Sequence, residues 1–208
     1  ITMSKATQTD AMGSIQRGIK RTLDFVMSAL GLILLSPIFI IISVLMKFQG
    51  NGPIFFRQIR IGYKGKPFVI LKFRTISKKT EKNTPQLIAK TSCKSSTPFE
   101  KFLREHHLDE LPQLWNVLVG DMSLVGPRPE RKYFIDKIME HTDLYTVIYN
   151  MRPGLTSEAT LYNGYTDTME KMLKRLQMDI SYFERRSLWL DFKIIIKTFV
   201  NIISGNKF

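Results

Sequence analysis

Residues 29 to 46, "ALGLILLSPIFIIISVLM", constrain this chain more than any other stretch. No charged residue occurs from Phe25 to Met46. A straight helix of that length, rising about 1.5 Å per residue, would just cross a hydrocarbon core roughly 30 Å thick. Ser36 and Pro37 interrupt its middle. Proline has no N–H, so the carbonyl of Ile33 loses its helical partner and the ring kinks the helix. In hydrocarbon that loss is costly, and Ser36 is placed to supply a compensating hydroxyl.

Charge bears on the same question. Arg17, Lys20 and Arg21 precede the segment, and Lys47, Arg57, Arg60, Lys64 and Lys66 follow it. Basic residues on both flanks give no positive-inside asymmetry, so both ends favour the same side of the membrane. A kinked span and a re-entrant helix-break-helix both fit. A secretory signal does not, because no small-residue cleavage site follows Met46. The opening residues, 1–16, carry no apolar pattern and read as a disordered leader or an expression remnant.

The rest of the chain reads as α+β, mainly helical. "GNGP" at 50–53 is a turn, and "IFFRQIRIGYKGKPFVILKFRTI" reads as a β-hairpin broken at "YKGKP". Residues 77–96 are polar, basic and aperiodic, as in a surface loop. Thr97, Pro98 and Glu100 form a capping-box signature for a helix with Phe99, Phe102 and Leu103 on one face. Pro112 predicts a further helix beginning around Asp109 to Leu111 and stopping at Gly120. A loop "GDMSLVGPRPE", a helix over 132–149, a turn at "NMRPGLTS" and an amphipathic helix over 168–183 follow. The C-terminal helix, with Leu188, Phe192, Ile195, Ile196, Phe199 and Ile203 at helical spacing, suits either a core face or the membrane interface.

A net charge of +13 favours partners with negative surfaces. The single cysteine, Cys93, excludes an internal disulfide framework, and three histidines with one cysteine are poor material for a zinc site.

Three constellations could carry chemistry. In "HHLDELPQLWNVL", Asp109 and Glu110 are adjacent carboxylates near a helix start. There they could simply cap, or one could attack phosphorus while its neighbour holds Mg²⁺. Arg104 lies five residues upstream of Asp109. In "SLVGPRPER", two prolines stiffen the backbone around Arg128, whose guanidinium fork suits phosphate, and Gly126 permits an unusual turn. In "ILKFRT", Lys72 and Arg74 would share one strand face, either exposed or opposite an anion.

Together, "KRTLDF", Ser36-Pro37, "FFRQIRIG", "GKPF", "LKFRT", "LDELPQLWNVLVGDMSLVGPRPE", "RPGLT" and "RRSLWLDFKIIIKT" resemble the bacterial sugar transferases of the monotopic phosphoglycosyl transferase type. The match runs from about Lys20 to Phe199. The resemblance implies transfer of a phosphosugar from a UDP-sugar to undecaprenyl (polyprenol) phosphate with release of UMP, at the start of capsule, O-antigen or exopolysaccharide synthesis. It implies Asp109 as the nucleophile that carries a covalent phosphosugar and Glu110 as a Mg²⁺ ligand. Arg104, Arg128, Lys72, Arg74 and Asp191 would be substrate- or phosphate-binding. It also implies a re-entrant hairpin over 17–48 with Ser36-Pro37 at its turn. Residues 49–208 would form a catalytic domain with interfacial helices on the cytoplasmic face of the bacterial inner membrane. Membrane lipids are then partners, nucleic acid is not, and a homodimer is left open.

Where many relatives follow "PGIT" with "WAQVNGR", this chain reads "LTSEATLYNGYTD", so the resemblance names no sugar. It also implies a minimal catalytic form without additional membrane helices. A non-enzymatic membrane adaptor whose basic surface binds anionic lipid or nucleic acid is the contrasting expectation, and it gives Asp109, Glu110 and Arg128 no role.

Overall fold

The computed structural model describes residues 9–49, 52–75, 97–163, 166 and 168–204. The predicted basic loop at 77–96 lies outside them. The described chain is mainly helical with a small antiparallel hairpin, as the sequence predicts.

Helices α1 (Ser14–Leu34) and α2 (Ser36–Phe48) take up the apolar segment and bend by 57° at the break. Among the described residues no single helix is long and apolar enough to cross a membrane; only this bent pair meets that test together. The anticipated repair is present. Ser36 Oγ donates to the Ile33 carbonyl at 2.7 Å, the acceptor whose usual helical donor Pro37 lacks, and a backbone N–H at the cap donates to the same oxygen.

Strands β1 (Phe55–Ile61) and β2 (Pro67–Phe73) form the antiparallel hairpin, with Phe56 opposite Lys72 and Ile59 opposite Val69. Helix α3 (Pro98–Glu105) begins at a complete capping box between Thr97 and Glu100. A 3₁₀ turn (Leu108–Glu110) leads into α4 (Gln113–Val119), which ends on Gly120 at φ 97°, a left-handed conformation that glycine adopts without strain. The predicted helix start at Asp109 to Leu111 is therefore a tighter turn, with the α-helix beginning just past Pro112.

Two expectations are corrected downstream. The continuous helix over 132–149 is two helices, α5 (Lys132–Met139) and α6 (Tyr145–Ile148), separated at Thr142, whose hydroxyl accepts from Leu144 N–H at 3.2 Å. This local side-chain bond competes with the helical ladder. The loop at 120–130 and the turn at 150–157 contain β3 (Ser123–Val125) and β4 (Gly154–Thr156), which pair in parallel. Gly126 and Gly154 make that approach possible. A Cβ on Gly126 would lie 2.3 Å from the Arg152 carbonyl oxygen, and one on Gly154 would lie 2.1 Å from the Gly126 nitrogen. Gly126 is thus required for close packing. Helices α7 (Glu158–Asn163), α8 (Met169–Arg185) and α9 (Leu188–Ile203) complete the order.

The main core joins α5, α6, α8 and α9 through Phe134, Ile138, Ile148, Leu176, Phe183 and Ile194. A second cluster packs Ile42 and Met46 of α2 against Phe73 and Leu103, and a third seats Ile70 on Val117 and Met122. On α8, Met172 and Leu176 are buried as predicted. On α9 the buried positions are Asp191 and Ile194, while Trp189, Phe192, Ile196 and Phe199 are exposed together with much of α1 and α2.

The first half of α1 is bound to the core by polar contacts. Arg21 donates to the carbonyls of Val117 and Leu118 at the end of α4, both at 2.7 Å. Asp24 accepts from Leu124 N–H at 3.0 Å, and Lys20 donates to the Val125 carbonyl at 3.0 Å. The end of the stretch expected to be a leader is also packed. Met12 is buried, and Asp10 bridges Arg17 and Arg186.

Candidate active site

The candidate site is assembled at the junction of α3 and α4. His107, a non-glycine residue at φ 54°, turns the chain sharply between α3 and the 3₁₀ turn. This reversal presents Asp109 and Glu110 side by side. Asp109 is buried at 8% exposure.

The hairpin and the Pro-Arg-Pro loop close on Glu110 from two sides. Lys72 Nζ donates to Glu110 Oε1 at 2.6 Å, and Arg128 Nη2 approaches the same oxygen at 3.3 Å. The loop is itself fixed at several points. Gly154 N–H donates to the Pro127 carbonyl at 2.9 Å, Arg60 donates to the Pro129 carbonyl at 2.9 Å, and Glu130 accepts from Arg175 at 3.1 Å. Arg128 is thereby held on a backbone with little freedom to withdraw.

These contacts divide the two carboxylates. The cations Lys72 and Arg128 outweigh burial at Glu110 and hold its carboxyl well below the usual range. Burial, reinforced by the Glu110 charge next door, pushes Asp109 up to about 6. Glu110 in turn raises the Arg128 guanidinium, and burial lowers the His107 imidazole. One carboxylate is neutralised by cations while its neighbour keeps a more basic, more reactive oxygen, the division expected where two acids take different roles.

The structure therefore brings together Asp109, Glu110, Lys72 and Arg128. It does not bring every candidate residue to this group. The strand ends at Phe73, and the Arg74 guanidinium packs against Gly52. Arg104 donates to the Thr75 carbonyl, so it ties α3 to the end of the hairpin strand. Asp191 accepts from Lys20 at 2.5 Å and from the Tyr182 hydroxyl, which makes it a link between α1, α8 and α9.

Asn116 escapes sequence reasoning. It is buried on α4, accepts from Leu71 N–H at 3.0 Å and donates to the Val69 carbonyl at 2.8 Å. An asparagine inside an apolar helix is the one signal that could have found it.

Among the described residues no three histidine, cysteine, aspartate or glutamate side chains converge on one point. Two adjacent carboxylates do not form a protein cage for a cation. They fit Mg²⁺, which binds through one or two carboxylates and takes its remaining oxygens from substrate phosphates and water.

Known proteins are similar to this chain over most of its length. A family model described as bacterial sugar transferase matches residues 15–205. The chain is 40% identical over 190 residues to a UDP-glucose:undecaprenyl-phosphate glucose-1-phosphate transferase of Klebsiella pneumoniae, covering 90% of this chain and 40% of that protein. It is 40% identical over 188 residues to a protein of the same description from Caulobacter vibrioides, covering 89% and 70%. It is 35% identical over 187 residues to a UDP-N-acetylgalactosamine-undecaprenyl-phosphate N-acetylgalactosaminephosphotransferase of Aeromonas hydrophila, covering 90% and 44%. The chain thus spans about 40% of the length of several of these relatives.

Proposed function

The chain belongs to the bacterial sugar transferase family, and from that premise we propose that it transfers a phosphosugar from a UDP-sugar to undecaprenyl phosphate, releasing UMP. The observation that carries this reading is the division of the carboxylate pair. Glu110 is held ionised by Lys72 and Arg128, while Asp109 is raised and buried beside it.

In the first step an Asp109 carboxylate oxygen forms a bond to the sugar-bearing phosphorus. The bond from that phosphorus to the bridging oxygen breaks, and UMP leaves with the electron pair. In the second step an oxygen of the lipid phosphate attacks the same phosphorus, the aspartyl bond breaks, and the carboxylate is regenerated. Both steps balance without any further reagent. The covalent route lets a soluble donor and a lipid acceptor use one site in turn, and it gives ping-pong kinetics.

Lys72 and Arg128, fixed before substrate arrives, offset the charge that develops on the diphosphate. Glu110 would hold Mg²⁺, which when bound supplies further neutralisation of the diphosphate. The exposed apolar faces of α1, α2 and α9 suit insertion of the bent pair into one leaflet, with α9 lying in the interface and both ends of the hairpin on the cytoplasmic side.

The test is UMP release by the membrane-bound chain with Mg²⁺ and a panel of UDP-sugars, since the relatives' names carry two different sugars. Without lipid acceptor, the parent releases about one UMP per chain, the burst expected of a covalent intermediate. Asp109→Asn folds, binds membrane and gives none. Substantial UMP release by that variant, with polyprenol phosphate present, overturns the nucleophile assignment.

A further inference from the structure

We propose that Asn116 is a positioning residue for the Asp109–Glu110 pair, acting as a surrogate third strand that fixes Lys72 against Glu110. Val69 and Leu71 are alternate residues of β2, so the Val69 carbonyl and the Leu71 N–H project from the same strand edge. The Asn116 amide meets both, accepting from one and donating to the other, as the backbone amide of a neighbouring strand would. Its Nδ2 also donates to Asp121 Oδ2 at 3.3 Å, which orients the amide plane. The side chain is 2% exposed and reaches the strand from the middle of α4.

The consequence lies one residue along the strand and a few residues back along the helix. Lys72 follows Leu71, and Glu110 stands in the turn that leads into α4. The docked amide therefore fixes the register of β2 against α4, and that register sets the 2.6 Å contact between Lys72 and Glu110. Apolar packing of Ile70 on Val117 and Met122 presses the two elements together, but it has no directional preference along the strand. The two hydrogen bonds of Asn116 are directional and are met in one register of β2 against α4. Asn116 thus touches neither substrate nor the reacting atoms and acts through Lys72.

Its activity readout rests on the phosphosugar-transfer reading, so a second readout is chosen that does not. In the membrane-bound full chain, Asn116→Ala is expected to lower kcat for UMP release by about 10- to 100-fold, the cost of a misplaced charge, with KM for the UDP-sugar little changed. In a Lys72→Met background the same substitution is expected to cost no more than about twofold, because the contact it supports is already gone. Thermal unfolding of the four proteins in the same cycle is expected to be subadditive. Should Asn116→Ala fail to fold, Asn116→Gln keeps the amide but sets it one methylene further out, and it follows the same pattern.

Equal fold-losses in both backgrounds, or additive losses of thermal stability, overturn the inference. If no UDP-sugar is turned over by the parent, the transferase reading fails on its own. The stability cycle then decides the role of Asn116, with subadditivity sustaining it and additivity ending it.

Discussion

Lys72 Nζ and Glu110 Oε1 lie 2.6 Å apart, between side chains that are 18% and 14% exposed. A charge pair this sheltered is costly to break from one side, because the remaining partner is left buried with less compensation. Arg128 shares the same oxygen, so Glu110 is the hub on which the hairpin and the Pro-Arg-Pro loop meet.

Lys72→Met removes the nearer of the two cations. UMP release is expected to fall by at least about 100-fold, since a fixed electrostatic donor of this kind contributes on that scale. Thermal stability should fall as well, while Lys72→Arg recovers part of both. Steady-state kinetics and thermal unfolding of the three proteins check this. A Lys72→Met variant with parental turnover would remove Lys72 from the site.

Asp109 connects activity to pH. Its carboxyl is raised from the ordinary 3.8 to about 6, so folding favours the protonated acid. That contribution to stability is complete below 3.8 and is lost as pH rises through about 6. Near pH 7.5, Asp109→Asn should be more stable than the parent by up to about 3 kcal/mol, since each tenfold change in proton affinity on folding is worth about 1.4 kcal/mol. The difference should close towards pH 4. The nucleophile must be ionised to react, so kcat/KM should rise with pH through about 6. Unfolding profiles and pH–rate curves measure the two effects separately.

Asp179 gives a second pH dependence away from the site. Buried on α8, its carboxyl is pushed up to about 8, with Arg175 opposing the shift. The sign is the same: the stabilising protonated form is complete below the ordinary 3.8 and lost as pH rises through about 8. Asp179→Asn cannot titrate. Its advantage in melting temperature over the parent should therefore be largest at pH 9, on the order of 10 °C, and close only towards pH 4, in differential scanning of the membrane-bound protein.

The break at Ser36-Pro37 predicts a topology. With Cys93 replaced by serine, single cysteines introduced as Lys5→Cys and Lys207→Cys should both resist a membrane-impermeant thiol reagent in intact spheroplasts and both react after lysis. Labelling of one end alone from outside would reveal a true span. Pro37→Ala restores an N–H to the break and should relax the 57° bend.

Much of this architecture is legible in the sequence because its signals are local. The capping box of Thr97 and Glu100, the stop at Gly120, the hairpin around "YKGKP" and the hydroxyl of Ser36 over Ile33 each depend on residues a few positions apart. Asp109, Glu110, Arg128 and Lys72 stand out as residues, but only the fold shows that they meet. What escapes is non-local. Strands β3 and β4 are three residues each, too short for periodicity, and they exist because Ser123–Val125 finds Gly154–Thr156. The resemblance points Asp191 towards phosphate, yet the side chain bonds to Lys20, 171 positions away, and to Tyr182. The helical periodicity through 140–144 does not become a helix because a threonine hydroxyl takes a backbone partner there.

The grip of Lys20, Arg21 and Asp24 on the catalytic core sets an angular phase for everything beyond it on α1. An α-helix turns about 100° and rises about 1.5 Å with each residue. One residue inserted between Asp24 and Gly31 would put this grip more than a quarter turn out of phase with the seat of Ile42 and Met46 on Phe73 and Leu103. Only one of the two attachments could then be kept. The spacing from Asp24 to Ile42 therefore acts as a gauge, keeping two separate attachments to the core in step across the break.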